Sequence, residues 1–237
     1  MPSILHLGVG NFFRAHGAAY TQEATGWDVT GVSFRSAAVR DGLRAQGYRY
    51  GLLIKDAAGA NLRQIRCLSD MLVAPEDQQR VVDAIAADTF DVITLTVTEK
   101  GYHLDAAGAL DLTAAAVQAD LAGGAPTVIG SLARGLAQRT APVTFLSCDN
   151  LPENGHKLAH AVQCFAQAAG LQIRAHVTFP SCMVDRITPA TTDAVRDEAG
   201  DPMAVPTETF TEWVIEDRFA ARCQAWPGVQ WVPPPMR

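Results

Sequence analysis

"HLGVGNFFRAH", residues 6–16, is the stretch whose reading decides the fold. The run before it, "SILHL", is apolar, and Gly8 and Gly10 follow at the spacing that opens G-x-G-x-x-G. In a strand-to-helix turn, glycines let the backbone bend sharply and bring a pyrophosphate to the helix N-terminus. Free N–H groups and the positive dipole end favour an anion there. Phe13 stands where the third glycine would. Its ring is expected to hold the helix a little further from the strand without barring phosphates. Arg14 either adds charge at the loop or lies exposed on the first helical turn. Turns of this kind also carry glycine for steric reasons alone, so the stretch by itself reads either as a cofactor loop or as a plain strand-to-helix junction.

Working outward, residues 14–24 carry helix formers and "WDVTGVSF" is a second apolar, β-branched run. Strand, helix and strand in that order need a right-handed crossover, so the two strands should lie parallel. "AAVRDGLRAQG" (37–47) reads as a helix, and "YRYGLLIKDAAGANLRQIRCLSD" (48–70) as an antiparallel excursion. "EDQQRVVDAIAAD" (76–88) puts Val81, Val82 and Ile85 on one helical stripe, and "FDVITLTVT" (90–98) has the continuous apolar character of a strand buried on both faces. Helices are expected over 111–121, 126–140 and 154–170, with strands at 142–150 and 173–180. This alternation predicts an α/β protein: a Rossmann-type, doubly wound, mainly parallel sheet with an antiparallel excursion. Residues 1–180 would form the dinucleotide-binding domain and 181–237 an extension or linker.

Composition narrows the function. The chain has 237 residues, 48% hydrophobic and 19% charged, with a formal net charge of −6. It has no basic block, which argues against a nucleic-acid partner. It also has no apolar run of membrane-spanning length and no signal-peptide pattern, so a cytoplasmic protein is expected. Cys67, Cys148, Cys164, Cys182 and Cys223 are scattered, without C-x-x-C, and read as reduced thiols. His156 and His160 stand four apart, but no Glu follows His156. They read as a surface or pocket-edge pair, and no metal site is expected.

Ligands in an open parallel sheet bind beyond the carboxyl ends of the strands. Four loops meet that condition: Gly8 to Arg14, Arg35 with Ser36, Thr96 to Gly101, and Cys148 to Asn150. The second of these should reveal the cofactor. An acid there would hold the ribose hydroxyls of NAD, and an Arg can accept the extra phosphate of NADP. The chain has Arg35 and no acid before Asp41, which leans toward NADP or toward tolerance of both.

Taken together, "GVGNFFRAH", "GVSFRSAAVRD", "TLTVTEKGYH", "SCDNLPENG", "MVDRITP" and "WVIEDRF" resemble, in order, the signature segments of the polyol-specific long-chain dehydrogenases. That family includes mannitol 2-dehydrogenases, arabinitol dehydrogenases and mannonate oxidoreductases (fructuronate reductases). "GVSFRSAAVRD" looks most like the last branch. The resemblance implies an NAD-binding Rossmann domain followed by a helical domain, with a polyol or sugar acid bound between them. It implies cofactor contacts from Gly8, Gly10, Asn11, Phe12, Phe13, Arg35, Ser36, Thr96, Thr98, Glu99, Lys100 and Asn150. Glu99 and Lys100 would border the nicotinamide ribose, or else form a loop-stabilising ion pair. Asn150 would also be catalytic, its amide holding the substrate oxygen as charge develops there. Asp185 would orient a base or relay a proton, or else pair with Arg186.

The family's general base is a lysine in K-x-x-x-x-N-x-x-H. The chain's lysines are Lys55, Lys100 and Lys157, with Ala60, Asp105 and Val162 five residues on, so none begins that motif. The helical catalytic domain is therefore expected to be absent, turnover by the chain alone slow or nil, and the uncovered face available for self-association. An alternative is a non-catalytic nucleotide-binding module acting through a partner chain. An unrelated Rossmann-type methyltransferase or sugar-nucleotide enzyme would leave the loops after residue 96 unexplained.

Overall fold

The computed structural model describes residues 3–24, 26–220 and 226–234; Cys223 and the tail residues 235–237 lie outside them. The chain opens with β1 (Ser3–Leu7), whose following helix is split at His16 into α1 (Asn11–Ala15) and α2 (Gly17–Glu23). Next come β2 (Asp28–Ser33), α3 (Ala38–Ala45), β3 (Tyr50–Asp56), β4 (Gly59–Ile65) and β5 (Leu68–Val73). The alternation resumes with α4 (Gln78–Ala86), β6 (Phe90–Leu95), a 3-10 turn at Glu99–Tyr102, α5 (Ala115–Leu121) and α6 (Val128–Gln138). It runs on through β7 (Val143–Ser147), α7 (Asn154–Ala168) and β8 (Val177–Thr178). The last part holds β9 (Cys182–Asp185), α8 (Asp193–Ala199), β10 (Val205–Glu208), β11 (Glu212–Glu216) and β12 (Gln230–Val232).

The central sheet is six-stranded and parallel throughout, in the order β5-β2-β1-β6-β7-β8. Counting its strands in chain order gives 3-2-1-4-5-6, the Rossmann arrangement, with the reversal between β1 and β6. Side chains alternate across it. Ile4, Val92 and Leu146 face one apolar cluster together with Tyr20, Leu52 and Trp213. Leu5, Ile93 and Phe145 face the other, where Val81, Ile85, Leu132, Leu136 and Phe165 from α4, α6 and α7 cover the sheet. The expected stripe of Val81, Val82 and Ile85 is buried as the spacing required.

Three expectations need adjustment. The excursion at 48–70 is antiparallel only in its β3–β4 hairpin, and Leu68 onward swings back as the edge strand β5, parallel to β2. The expected strand at 173–180 shrinks to Val177 and Thr178. The helix expected from 111 begins at Ala115, because the Asp111 carboxylate accepts from Thr113 N at 2.9 Å and folds that segment into a turn. Beyond residue 180, β10 pairs with β3 and β11 lies between β9 and β12, forming two small three-stranded sheets.

Candidate functional site

Backbone hydrogen bonds continue past the strand ends and register the loops against one another. Gly8 N donates to Val32 O at 2.8 Å, Thr96 N to Leu7 O at 2.9 Å, and Cys148 N to Leu95 O at 2.8 Å. The loops after β1, β2, β6 and β7 thus form one rim at the reversal point. A groove of about 520 Å³ lies along it, lined by Gly8, Gly10, Arg35, Ser36, Thr96 and Thr98 among others.

Gly8 is required by geometry. Its φ is +97°, and a Cβ there would lie 2.1 Å from Thr96 O. Gly10 differs: a Cβ would meet nothing nearer than Gly8 O at 4.0 Å, so the space beside it is open. The first α1 amide with an intrahelical acceptor is that of Arg14, bonded to Gly10 O at 3.1 Å. The amides of Asn11, Phe12 and Phe13 precede it, and their N–H groups are the ones a helix start leaves for an anion.

The side chains of this helix go elsewhere. Phe13 is buried and stacks on His6 with ring centroids 3.4 Å apart, and Gly17, one turn on, leaves room for it. The ring is thus taken up between strand and helix, where it was expected only to hold them apart. Phe12 stacks on His16. Arg14 is neither exposed nor at the loop: it is buried, donates to Met203 O and Asn11 Oδ1 at 2.7 Å each, and lies over the Tyr50 ring. Asn11 also donates to Thr191 Oγ1 at 3.2 Å. Of Asn11, Phe12 and Phe13, a cofactor would meet chiefly the backbone.

Beneath the glycine turn, His6 joins β1 to β6. Thr96 Oγ1 donates to Gly8 O at 2.8 Å, so it accepts from His6 Nε2 at 3.0 Å, and Nδ1 accepts from Thr94 Oγ1 at 2.7 Å. Burial pulls the His6 pKa down to about 3, keeping the ring neutral.

The loop after β6 is held by a residue that the sequence does not advertise. Asp149 accepts from Val97 N at 3.1 Å, Thr98 N at 2.8 Å and Tyr102 OH at 2.8 Å. Tyr102 is buried and also within 2.5 Å of Ser147 Oγ. The clamp holds Thr98 at φ +66°, a strained conformation for a β-branched residue. Burial raises the Asp149 pKa, and its three donors oppose that rise. Asn154 ties the next loop down, donating to Asp149 O and Cys182 O while accepting from Cys182 N. Gly155 leaves no room for a Cβ against Phe179 O and Pro180 O. The only sequence signal for these residues was their place in "TVTEKGY" and in "SCDN" followed by "NG".

The remaining candidates are less gathered. Glu99 and Lys100 are exposed on the 3-10 turn and, among the described residues, make no salt bridge. Asn150 is exposed and lines a neighbouring cleft of about 370 Å³ with Asp149, Glu153, Cys182 and Glu216. It is on the same rim as Gly8, two strands away. Asp185 is exposed at the end of β9, opposite Glu212, and lines neither cleft. Its neighbour Arg186 turns inward to Ala15 O, Thr207 Oγ1 and Glu208 O, so the two do not pair. His156 lies 3.8 Å from Glu153, and among the described residues no group of three potential ligands gathers around a metal position. Cys67, Cys148, Cys164 and Cys182 are free thiols. No described helix is long and apolar enough to cross a membrane.

Residues 2–228 match the family described as the mannitol dehydrogenase Rossmann domain. A mannitol 2-dehydrogenase of Cereibacter sphaeroides is 38% identical over 243 residues, which cover 93% of this chain and 51% of that protein. A polyol:NADP oxidoreductase of Gluconobacter oxydans is 35% identical, covering 92% and 50%. The solved ternary complex of Pseudomonas fluorescens mannitol 2-dehydrogenase with NAD and D-mannitol superposes with a TM-score of 0.86 at 37% identity, covering 97% of this chain and 52% of that one. The chain spans about half the length of these relatives. With the family match running almost end to end, and a parallel sheet whose order reverses at a glycine-turned groove, the chain belongs to the Rossmann-domain family of the mannitol dehydrogenases.

Proposed function

We propose that this chain is the nicotinamide-dinucleotide-binding half of an oxidoreductase that interconverts a polyol or aldonate secondary alcohol and its ketone. The observation that carries this reading is the groove at the sheet's reversal point, with an open approach at Gly10 and amides without intrahelical acceptors at Asn11 to Phe13. Those residues fit a diphosphate. The nicotinamide, when bound, supplies the hydride acceptor or donor. Thr96 and Thr98, on the loop fixed by His6 and Asp149, would contact the cofactor, and Glu99 and Lys100 would border the nicotinamide ribose from the exposed turn. Asn150 directs its side-chain amide to the substrate oxygen, stabilising charge there without a proton transfer. For Asp185, exposed and outside both clefts, a role in orienting a base or relaying a proton is supported by the resemblance of "MVDRITP" alone.

The names of the relatives support the mannitol/fructose couple. The "GVSFRSAAVRD" segment supports mannonate/fructuronate. No lysine of this chain begins K-x-x-x-x-N-x-x-H, and a positioned base contributes about 10²–10⁴ in rate. Calorimetric titration with reduced and oxidised dinucleotides should therefore give saturable binding. Absorbance at the reduced-nicotinamide band with mannitol, mannonate or arabinitol should show slow turnover or none. Absence of any dinucleotide binding would refute the reading. Brisk turnover would refute the inference that no lysine of this chain serves as the base.

A further inference from the structure

Two thiols held side by side become a disulfide once an oxidant removes two electrons, and the order of events follows from which thiol the oxidant can reach. Cys67, Cys148, Cys164 and Cys182 are free. Cys67 is buried against Ala18 O, and Cys164 sits beside His160 on α7. Cys148 and Cys182 differ from these, because the fold brings them together although α7 and β8 lie between them in the chain. Cys182 opens β9, and its Sγ donates to Ser147 O at 2.8 Å, the carbonyl of the peptide whose nitrogen belongs to Cys148. That leaves the lone pairs of the Cys182 sulfur for the Cys148 thiol, which hydrogen-bonds with it and also lies 3.6 Å from Leu146 O. Asn154 fixes the juxtaposition. Its amide donates to Asp149 O at 3.0 Å and to Cys182 O at 2.7 Å, and it accepts from Cys182 N at 3.0 Å. One buried side chain thus holds the residue after Cys148 and the backbone of Cys182 at a set separation.

Access to the two sulfurs is unequal. Cys182 is half-buried and lines the cleft of about 370 Å³ that also holds Asn150. Cys148 is only 4% exposed and lines no part of that cleft. The hydrogen bond with Cys182, and then burial, hold the Cys148 thiol well above the ordinary thiol range, so it is not the group that meets an oxidant first. We propose that Cys182 and Cys148 form a reversible oxidation site, in which Cys182 reacts with hydrogen peroxide from the cleft and Cys148 closes a disulfide on it. In the first step the Cys182 sulfur gives up its proton and attacks a peroxide oxygen; the O–O bond breaks, leaving a sulfenic acid and one water. In the second the Cys148 sulfur attacks the Cys182 sulfur, the S–O bond breaks, and the departing hydroxide takes the Cys148 proton as a second water. Two thiols and one peroxide become one disulfide and two waters. Ser147 O and Leu146 O lose only weak S–H donors in the exchange. The new bond ties the loop that carries Asp149 and Asn150 to β9, whether or not the neighbouring groove holds a dinucleotide.

The test is a peptide map of the native full chain after a few equivalents of hydrogen peroxide, with remaining thiols blocked by N-ethylmaleimide before digestion. Trypsin places Cys148 on residues 140–157, Cys164 on 158–174 and Cys182 on 175–186, so each linkage has its own mass. The expected product is 140–157 joined to 175–186, lighter by two hydrogens than the separate peptides, with Cys164 still blocked as a thiol. Dithiothreitol should restore both cysteines. Cys182→Ser, whose hydroxyl can still donate to Ser147 O, should abolish the bridge and leave Cys148 reduced. Cys148→Ser should stop at a sulfenic acid on Cys182, which dimedone traps. Circular dichroism matching the parent will certify the fold of each variant, and the parent's own map decides the bridge without them. A bridge from either residue to Cys164, a bridge between two chains, or Cys182 passing to sulfinic acid while Cys148 stays reduced would overturn the proposal. So would oxidation of Cys148 in Cys182→Ser as fast as in the parent.

Discussion

A methyl group at position 8 has nowhere to go. It would sit 2.1 Å from a carbonyl oxygen, on a residue whose φ of +97° already disfavours any side chain. At position 10 the same methyl would meet open space, on a backbone with φ −92° that alanine adopts freely. The two glycines of one motif are therefore separable, Gly8 required by the backbone and Gly10 proposed to keep the approach open. Gly8→Ala should lower stability by about 3 kcal/mol or more through clash and strain, read as a drop in the denaturant midpoint. Gly10→Ala should melt like the parent and yet lose dinucleotide affinity, because its methyl fills the approach to the phosphates. Equal stability losses in the two variants would contradict this division. The sequence could place both glycines and could not tell them apart, since the atom that decides, Thr96 O, is 88 positions away. Distance in sequence likewise hides the fate of Arg14, whose partners are Tyr50 and Met203.

At the scale of elements, β1 and β6 are joined by backbone pairing and by a neutral histidine locked between two threonines. His16, at the break between α1 and α2, is a second buried neutral imidazole; burial lowers its pKa to about 4, and its Nε2 donates to Glu212 O at 2.8 Å. A folded-state pKa below the unfolded value of 6.5 gives stability that is fully present above 6.5 and is lost as pH falls toward the folded value. For His6 the window runs from 6.5 down to about 3, worth roughly 5 kcal/mol at most. Asp149 acts in the opposite sense, since its raised pKa makes it more favourable as pH drops, and it blunts the loss only partly. Urea unfolding at pH 7, 5.5 and 4.5 should show a steady fall in midpoint, and His6→Gln should flatten that slope. An identical slope in the variant would show that His6 does not set it. The strands and helices that build this region were legible because their apolar periodicity is local. The break at His16 and the departure of β5 to the sheet edge were not, because contacts with β11 and β2 dictate them.

Across the whole molecule, the residues after 180 reach back to the element that presents the groove. Arg186 Nη1 donates to Ala15 O at 2.7 Å, Arg14 donates to Met203 O, and His16 donates to Glu212 O, so three bonds from this region hold the two halves of the first helix. Trp213 packs edge-on against His16 and Tyr20 at 5.3 Å each, and Trp226 lies 4.9 Å beyond it, tilted toward Trp27. β10 supplies the partner that β3 would otherwise lack on that side. The division at residue 180 into a domain and an extension therefore makes a physical claim that truncation can test. Removing residues 181–237 would expose Tyr20, Trp27 and Leu52 and would free the α1 backbone proposed to face the phosphates. The shortened chain should melt well below the parent, or aggregate, and should bind dinucleotide weakly. Trp213→Ala in the intact chain isolates the packing contribution. It should cost about 3–5 kcal/mol and weaken dinucleotide binding less than it weakens the fold, because the glycine turn and the Asp149 clamp remain in place. A truncated chain that melted and bound like the intact one would establish the last 57 residues as a true appendage and detach the groove's geometry from them.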